Sequence, residues 1–167
     1  MPSRQDRIFI DTCAIQAAHR YRCWNALCKG FRLETVEHCL HEAVRLDRKG
    51  RKLVDRPVED IRQEIVVHVV TDEHRARLAY ALQGRVDLDD GERDLLAIAL
   101  TIESEAWWLC GPDMATIRAM NLLGRMERMV SLQSLANELG MDLRQLDEKD
   151  TDKWLSQKRT LLLMEQM

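Results

Sequence analysis

The sequence is poor in the residues that mark non-globular classes of protein. It has only 7 glycines and 3 prolines among 167 residues, and aromatic side chains make up 5% of it. These low counts exclude collagen-like and low-complexity chains. Hydrophobic residues make up 46% of the sequence, which is enough to form a buried core. One domain is expected at this length.

Long apolar runs and a framework of paired cysteines are also missing. The longest largely apolar runs, residues 65–70 and 106–110, are far shorter than the roughly 20 residues of a membrane-spanning helix. The first residues have no apolar stretch of the signal-peptide kind. The 5 cysteines are an odd number in a chain that is large enough to fold without disulfides. We therefore expect a cytoplasmic protein that does not enter a membrane.

An excess of positive charge is the third missing feature. The chain has 25 Lys and Arg against 28 Asp and Glu, a formal net charge of −3. Domains that bind nucleic-acid phosphates usually have a clear excess of basic residues. This balance counts against nucleic-acid binding unless several acids converge on a metal ion, because a bound cation reverses the local field. The positions of the acids therefore matter more than their number.

Strand-like and helix-like segments alternate along the chain. Strands are expected at 7–10, 65–70, 106–110 and 128–130, and helices at 12–28, 34–48, 58–64, 73–82, 90–102, 113–123, 132–139 and 150–164. This alternation predicts an α/β fold with a central parallel sheet of about four to five strands and helices on both faces. We expect one domain over residues 1–140 and a charged, helical C-terminal appendage over 141–167.

Two acids come directly after predicted strands. Asp11 follows the first strand, and Asp113 follows the strand 106–110 with only Gly111 and Pro112 between them. Because parallel sheets bind ligands at the carboxyl ends of their strands, these acids fall at the edge where chemistry is expected. Either acid can alternatively do no more than cap the helix that follows it.

Two further acids lie among apolar neighbours on predicted helices. Asp94 lies in the first turn of an apolar helix, and Glu42 is flanked by Leu40 and Ala43. Carboxylates brought together repel by roughly 4 kcal/mol per pair at about 4 Å, so a cation must offset the repulsion. Oxygen ligands favour Mg²⁺ or Mn²⁺, which can generate hydroxide and stabilise the charge that develops in phosphodiester cleavage.

Four pieces of the sequence resemble the ordered acidic motifs of the PIN-domain family, which includes the VapC-like toxins of toxin–antitoxin pairs. The pieces are IFIDT, CLHEA, DDGERDLLAIAL and CGPDMATIRAMNLLG, within residues 7–138. The resemblance implies a PIN-like fold and an endoribonuclease dependent on Mg²⁺ or Mn²⁺. Its catalytic and metal-binding acids are then Asp11, Glu42, Asp94 and Asp113.

The resemblance also implies partners, and it has one local departure. RNA is the implied substrate, and an antitoxin protein or a second copy of the chain is the implied protein partner. Gly111-Pro112 stands where the family often has Thr/Asn-Asp, which leaves a single acid at that motif.

Several residues near the four acids have two interpretations. Thr12 either supports the site through a hydrogen bond or caps the first helix, and Glu92 is a helix-dipole partner or a group behind the metal ligands. Glu37 is an alternative to Glu42. The basic residues Arg45, Arg48 and Lys49 are candidates for binding substrate phosphates, although such a run is also typical of a solvated loop.

Three other functions compete with a nuclease. A phosphatase of the haloacid dehalogenase type needs a second Asp two residues after the first, where this chain has Cys13. His38, Cys39 and His41 are potential zinc ligands, but no matching second half follows them. A PIN-like module that binds RNA or a protein without cleaving anything stays open, because a fold does not determine a function.

Overall fold

The computed structural model describes residues 1–47, 49–102 and 106–165. Its strands are β1 (Arg7–Ile10), β2 (Arg32–Val36), β3 (Val66–His68) and β4 (Trp107–Cys110). Its α-helices are α1 (Thr12–Arg20), α2 (Trp24–Gly30), α3 (Glu37–Ala43), α4 (Val58–Glu64), α5 (Asp72–Leu82), α6 (Asp90–Ala99), α7 (Met114–Leu122), α8 (Leu132–Glu138) and α9 (Asp152–Met164). Short 3₁₀ helices occupy Met126–Arg128 and Glu148–Asp150.

The strands pair in parallel in the order β3-β2-β1-β4, which confirms the predicted α/β class. From β1 the chain goes to β2 on one side and later returns to β4 on the other. The carboxyl ends of β1 and β4, where Ile10 pairs with Cys110, therefore lie where the strand order reverses. Doubly wound sheets bind their ligands at this switch point.

Helices cover both faces of the sheet, as predicted. Alternation along β1 sends Ile8 and Ile10 to one face and Phe9 to the other. The first face packs against α1, α2, α4 and α8, and the second against α5, α6, α7 and α9. Strand β1 is thus buried on both faces, which explains why Ile8, Phe9 and Ile10 are all apolar.

Two of the predicted elements are wrong, and a third is divided into two helices. The helix expected over 34–48 is preceded by a strand, because residues 32–36 form β2 and α3 ends at Ala43. The strand expected over 128–130 is a single parallel bridge between Leu109 and Met129, which comes directly after a 3₁₀ helix. The helix expected over 12–28 is divided into α1 and α2 at Arg22, whose φ of 58° lies in the left-handed region.

Thr71 and Ser131 stand directly before α5 and α8, and their side chains cap these helices. The Thr71 side chain accepts from the backbone N–H of His74 at 3.3 Å, and that of Ser131 accepts from Ser134 at 2.9 Å. Each hydroxyl satisfies a donor that has no partner inside its helix.

The C-terminal segment packs on the second face of the sheet. Leu155 and Leu162 of α9 belong to the core formed with α6 and α7. In the part of the chain that the structure describes, no helix is both long enough and apolar enough to cross a membrane.

Candidate functional site

Asp11 and Asp113 lie at the switch point of the sheet. The backbone N–H of Asp11 donates to the carbonyl of Cys110 at 3.1 Å, so the pairing of β1 with β4 continues up to the acid. Oδ1 of Asp11 accepts from the Ala14 N–H at 2.7 Å and caps α1, and Oδ1 of Asp113 accepts from the Ala115 N–H at 2.7 Å and caps α7. Capping therefore occurs at both positions and orients each carboxylate.

Gly111 leaves room for the Asp11 carboxylate. A Cβ at residue 111 would stand 2.9 Å from Oδ2 and 3.1 Å from Cγ of Asp11, which is closer than real contacts allow. The Asp11 side chain cannot simply swing away, because Oδ1 is held by the cap on α1.

We therefore expect Gly111→Ala to lower the free energy of unfolding by about 1–3 kcal/mol, a usual cost of overpacking. Urea unfolding of the variant measures this loss. The matched control is the same change in an Asp11→Ala background, where the clash is absent and the loss should nearly vanish. An equal loss in both backgrounds would show that Asp11 is not the source of the strain.

Glu42 approaches the site from α3. Its Oε2 lies 3.1 Å from Oγ1 of Thr12, and its Oε1 lies 3.5 Å from Nε2 of His38. A Cβ at Gly91 would stand 3.4 Å from Oε2 of Glu42 and 3.5 Å from Oδ1 of Asp89. Because Gly91 has no side chain, α3 can approach the start of α6. The carboxylates of Glu42 and Asp89 both lie near Gly91.

Glu37, the alternative to Glu42, faces elsewhere. Its carboxylate is bound by the guanidinium of Arg62, and Nη2 of Arg62 lies 2.9 Å from Oε2. Its other charged neighbour is His41 on the same helix, at 3.4 Å. Of the two glutamates of α3, Glu42 is the one that contacts Thr12.

Glu92 lies against Asp113. Burial is the largest of the effects that raise the pKa of Glu92 to about 8, and a side-chain hydrogen bond with Asp113 and the charge of Asp113 are the next largest. Glu92 also forms a capping box with Asp89, in which the backbone N–H of each residue donates to the side chain of the other. The first turn of α6 thus brings two acids to the site.

Asp94 is held away from these acids by arginines. Nε and Nη2 of Arg75 contact Oδ1 and Oδ2 of Asp94 at 2.8 and 2.9 Å, and Nε of Arg93 lies 3.4 Å from Oδ1. Burial opposes ionisation, but the hydrogen bonds and charges of Arg75 and Arg93 keep the pKa of Asp94 below its usual value. Residues two apart on a helix do not share a face, so Glu92 and Asp94 point to different partners.

The predicted grouping of four acids is therefore altered by the structure. It brings together what we call the acidic cluster, namely Asp11, Asp89, Glu92 and Asp113 with Glu42 at the edge. Asp94 lies outside the cluster in an ion pair between α5 and α6. The signal for Asp89 is its position as the cap of the helix predicted over 90–102, two residues before Gly91.

The main electrostatic property of the acidic cluster is that burial and neighbouring acids oppose the ionisation of Asp11 and Glu92. The pKa of Asp11 is raised to about 7, mainly by burial and in smaller part by the charges of Asp113 and Asp89, while the Ala14 hydrogen bond and the charge of Lys149 oppose the rise. Among the described residues, no Lys, Arg or His lies within ion-pair distance of Asp11, Glu92 or Asp113. Buried carboxylates in this state favour binding a cation.

Of the predicted phosphate-binding residues, Arg45 is the one that the described part of the structure places beside the acidic cluster. Arg45 lines an open pocket with His38, His41 and Glu42, next to the cluster. Lys49 is exposed in a turn that Asp47 stabilises by accepting its N–H at 2.9 Å. Arg48 lies outside the described residues.

The potential zinc ligands are engaged separately. His38 lies beside Glu42 and His41 beside Glu37, each one helical turn apart. Burial raises the pKa of the Cys39 thiol to about 12, which disfavours the thiolate that zinc requires. These side chains do not converge on one point.

The acidic cluster has suitable donors for a hard divalent cation, but their spacing does not form a coordination site. No three His, Cys, Asp or Glu side chains of the described residues are arranged to hold a metal ion as they stand. Binding would therefore have to draw the carboxylates together. The donors are carboxylate oxygens, the ligands that Mg²⁺ and Mn²⁺ prefer.

Comparison with known proteins adds no assignment. A scan against protein-family models and a search of curated proteins gave no match for this chain.

Proposed function

We propose that the chain is an endoribonuclease that depends on Mg²⁺ or Mn²⁺ and hydrolyses RNA phosphodiester bonds at the acidic cluster. The observation that carries the proposal is the convergence of buried and half-buried carboxylates at the switch point, where no cationic side chain of the described residues pairs with Asp11, Glu92 or Asp113. The order of the acids along the chain, similar to that of PIN-domain motifs, supports RNA as the substrate.

In this proposal the cation is held by Asp11, Glu42 and Asp113. The nearby carboxylates of Glu92 and Asp89 add to the negative potential at the site. When bound, Mg²⁺ or Mn²⁺ supplies Lewis-acid stabilisation of the phosphate and lowers the pKa of water. Thr12 keeps the Glu42 carboxylate in place through its 3.1 Å contact. Positive charge that enters the cluster lowers the pKa of Glu92 and so favours its ionised form.

The test is cleavage of a mixed, end-labelled RNA pool by the wild type and Asp11→Asn, with Mn²⁺, Mg²⁺ or a chelator. We expect cleavage only with metal, and at least about 100-fold slower cleavage by the variant, as for loss of one electrostatic catalytic group. Asn preserves the α1 cap, so the variant should stay folded.

Metal binding gives an independent readout. Mn²⁺ should raise the melting temperature of the wild type, by the equivalent of about 2.7 kcal/mol at 100 times its Kd, and should raise that of Asp11→Asn much less. Asp55→Asn is the matched control, because Asp55 is exposed and pairs only with Lys52 in the described part of the chain. If Asp11→Asn cuts RNA as fast as the wild type, the proposed site is wrong.

A module that binds RNA or protein without cleaving is the other outcome of this experiment. RNA binding with no cleavage in any lane, by a protein that is folded, would favour it. The antitoxin or second copy that the resemblance implies belongs to the same proposal, and the exposed apolar side chains of Leu161, Leu163 and Met164 on α9 are where we would look for either.

A further inference from the structure

Lys149 comes from the C-terminal segment to the edge of the acidic cluster. The 3₁₀ helix that precedes α9 places it beside the turn between β4 and Asp113, where Lys149 lines a small cavity with Cys110, Gly111 and Pro112. Gly111 is also the residue that faces the Asp11 carboxylate. A residue more than thirty positions after Asp113 therefore lies next to the site.

Hydrogen bonds to α1 hold the turn that contains Lys149 in place. The Tyr21 hydroxyl accepts from the Asp147 N–H at 2.8 Å and lies 3.2 Å from Oδ2 of Asp150, to which it donates. Arg20 forms an ion pair with Asp147 at 2.5 Å, and Asp150 is only 2% exposed. The backbone on both sides of Lys149 is thus fixed on the helix that Asp11 caps.

The Lys149 ammonium has no ion-pair partner within 4 Å among the described residues, and its side chain is half-buried. Its charge reaches the cluster, because it lowers the pKa of Asp11 against the larger effect of burial. A positioned and unpaired ammonium beside a cation-seeking carboxylate site is suited to bind an anion that approaches together with the metal.

We propose that Lys149 binds a backbone phosphate of the RNA at the carboxyl edge of the sheet, beside Asp11. This inference rests on the proposed function for the identity of the substrate. It also gives the C-terminal segment a part in the site, since the turn before α9 supplies a basic group that the acidic cluster lacks.

The test measures RNA affinity apart from cleavage. The probe is a labelled single-stranded RNA of mixed sequence with Ca²⁺ in place of Mg²⁺ or Mn²⁺, titrated between about 50 and 200 mM salt. The slope of log K against log salt is negative, and each lost phosphate contact reduces its magnitude by about 0.7 for single strands. We expect this decrease for Lys149→Met, a wild-type slope for Lys149→Arg, and no change for Lys153→Met, whose lysine is exposed on α9.

Cleavage rates then separate this inference from the proposed function. If the wild type binds RNA but never cleaves it, and Lys149→Met still shows the reduced slope, the nuclease proposal fails and the phosphate contact stands. If cleavage occurs but Lys149→Met keeps the wild-type slope, the inference is overturned. A changed melting temperature with an unchanged slope also overturns it, because Lys149 is then only a counter-ion of Asp11. Lys149→Gln repeats the measurement should the methionine variant fold poorly.

Discussion

Replacing Glu34 with glutamine should lower the free energy of unfolding by about 3–5 kcal/mol, the usual cost of breaking a buried ion pair. Glu34 is fully buried in β2, and its carboxylate receives hydrogen bonds from Nε and Nη2 of Arg7 at 2.8 and 2.9 Å. Nε of Arg32 and Nε2 of His68 lie 2.9 and 2.7 Å from its oxygens. Glutamine leaves the guanidinium groups of Arg7 and Arg32 without a buried counter-charge.

Urea unfolding at neutral pH measures this loss, with Glu73→Gln as the matched control. Glu73 pairs with Arg77 on the surface of α5, with both side chains about 70% exposed, so its loss should stay within about 1 kcal/mol. A Glu34→Gln protein as stable as the control would mean that the cost of burying the charges cancels their attraction.

The stabilisation by Glu34 should also disappear in acid. Burial alone would raise the pKa of Glu34, but the hydrogen bonds from His68 and Arg7 and the charges of Arg7 and Arg32 lower it to about 2 from the usual 4.5. The contribution is therefore complete above about pH 4.5 and is lost as the pH falls towards 2. The difference in stability between wild type and Glu34→Gln should shrink over this range, and a constant difference would contradict the assignment.

The second large effect is a contrast between Glu92 and Asp94, and it rests on the proposed function. Glu92→Gln should slow RNA cleavage by at least about 100-fold, because Glu92 lies against Asp113 in the acidic cluster. Asp94→Asn should cost about 1–3 kcal/mol of stability, because it weakens the bidentate contact with Arg75. Its cleavage rate per folded molecule should stay near that of the wild type.

Both variants need a stability curve and a cleavage rate at the same Mn²⁺ concentration. Arg75→Gln is the companion of Asp94→Asn, because it breaks the same contact from the other side and should resemble it in both measurements. If Asp94→Asn alone abolishes cleavage while the protein stays as stable as the wild type, Asp94 is a metal ligand, as the resemblance implies, and its pairing with Arg75 is rearranged on metal binding.

The parts of the fold that could be predicted are those with local causes. Apolar β-branched and aromatic runs identified β1 and β4, and α5 and α8 lie within two residues of the predicted helices 73–82 and 132–139, where hydroxyl side chains cap them. The strand β2 was missed because it contains Glu34, whose burial depends on Arg7 and His68, 27 and 34 residues away along the chain. No local pattern reports such partners.

The candidate site was predictable for the acids that follow strands and less so for those on helices. Asp11 and Asp113 are placed by the ends of β1 and β4, which strand order alone determines. The choice between Glu92 and Asp94 depends on the rotation of α6 and on Arg75 from α5, and the arrival of Lys149 depends on how the C-terminal segment packs. Helix rotation and segment packing are features of the tertiary structure, and local sequence patterns do not reveal them.

The double use of Asp11 and Asp113 has a consequence for how such a chain can change. Each residue caps a helix with Oδ1 while contributing charge to the cluster. Asparagine is as good a helix cap as aspartate but carries no charge. Under the proposed function, one nucleotide substitution at either codon therefore separates architecture from chemistry, leaving an intact molecule able to occupy RNA without cutting it. An inactive descendant that arose in this way would keep its fold, and the change from aspartate to asparagine would be the visible difference.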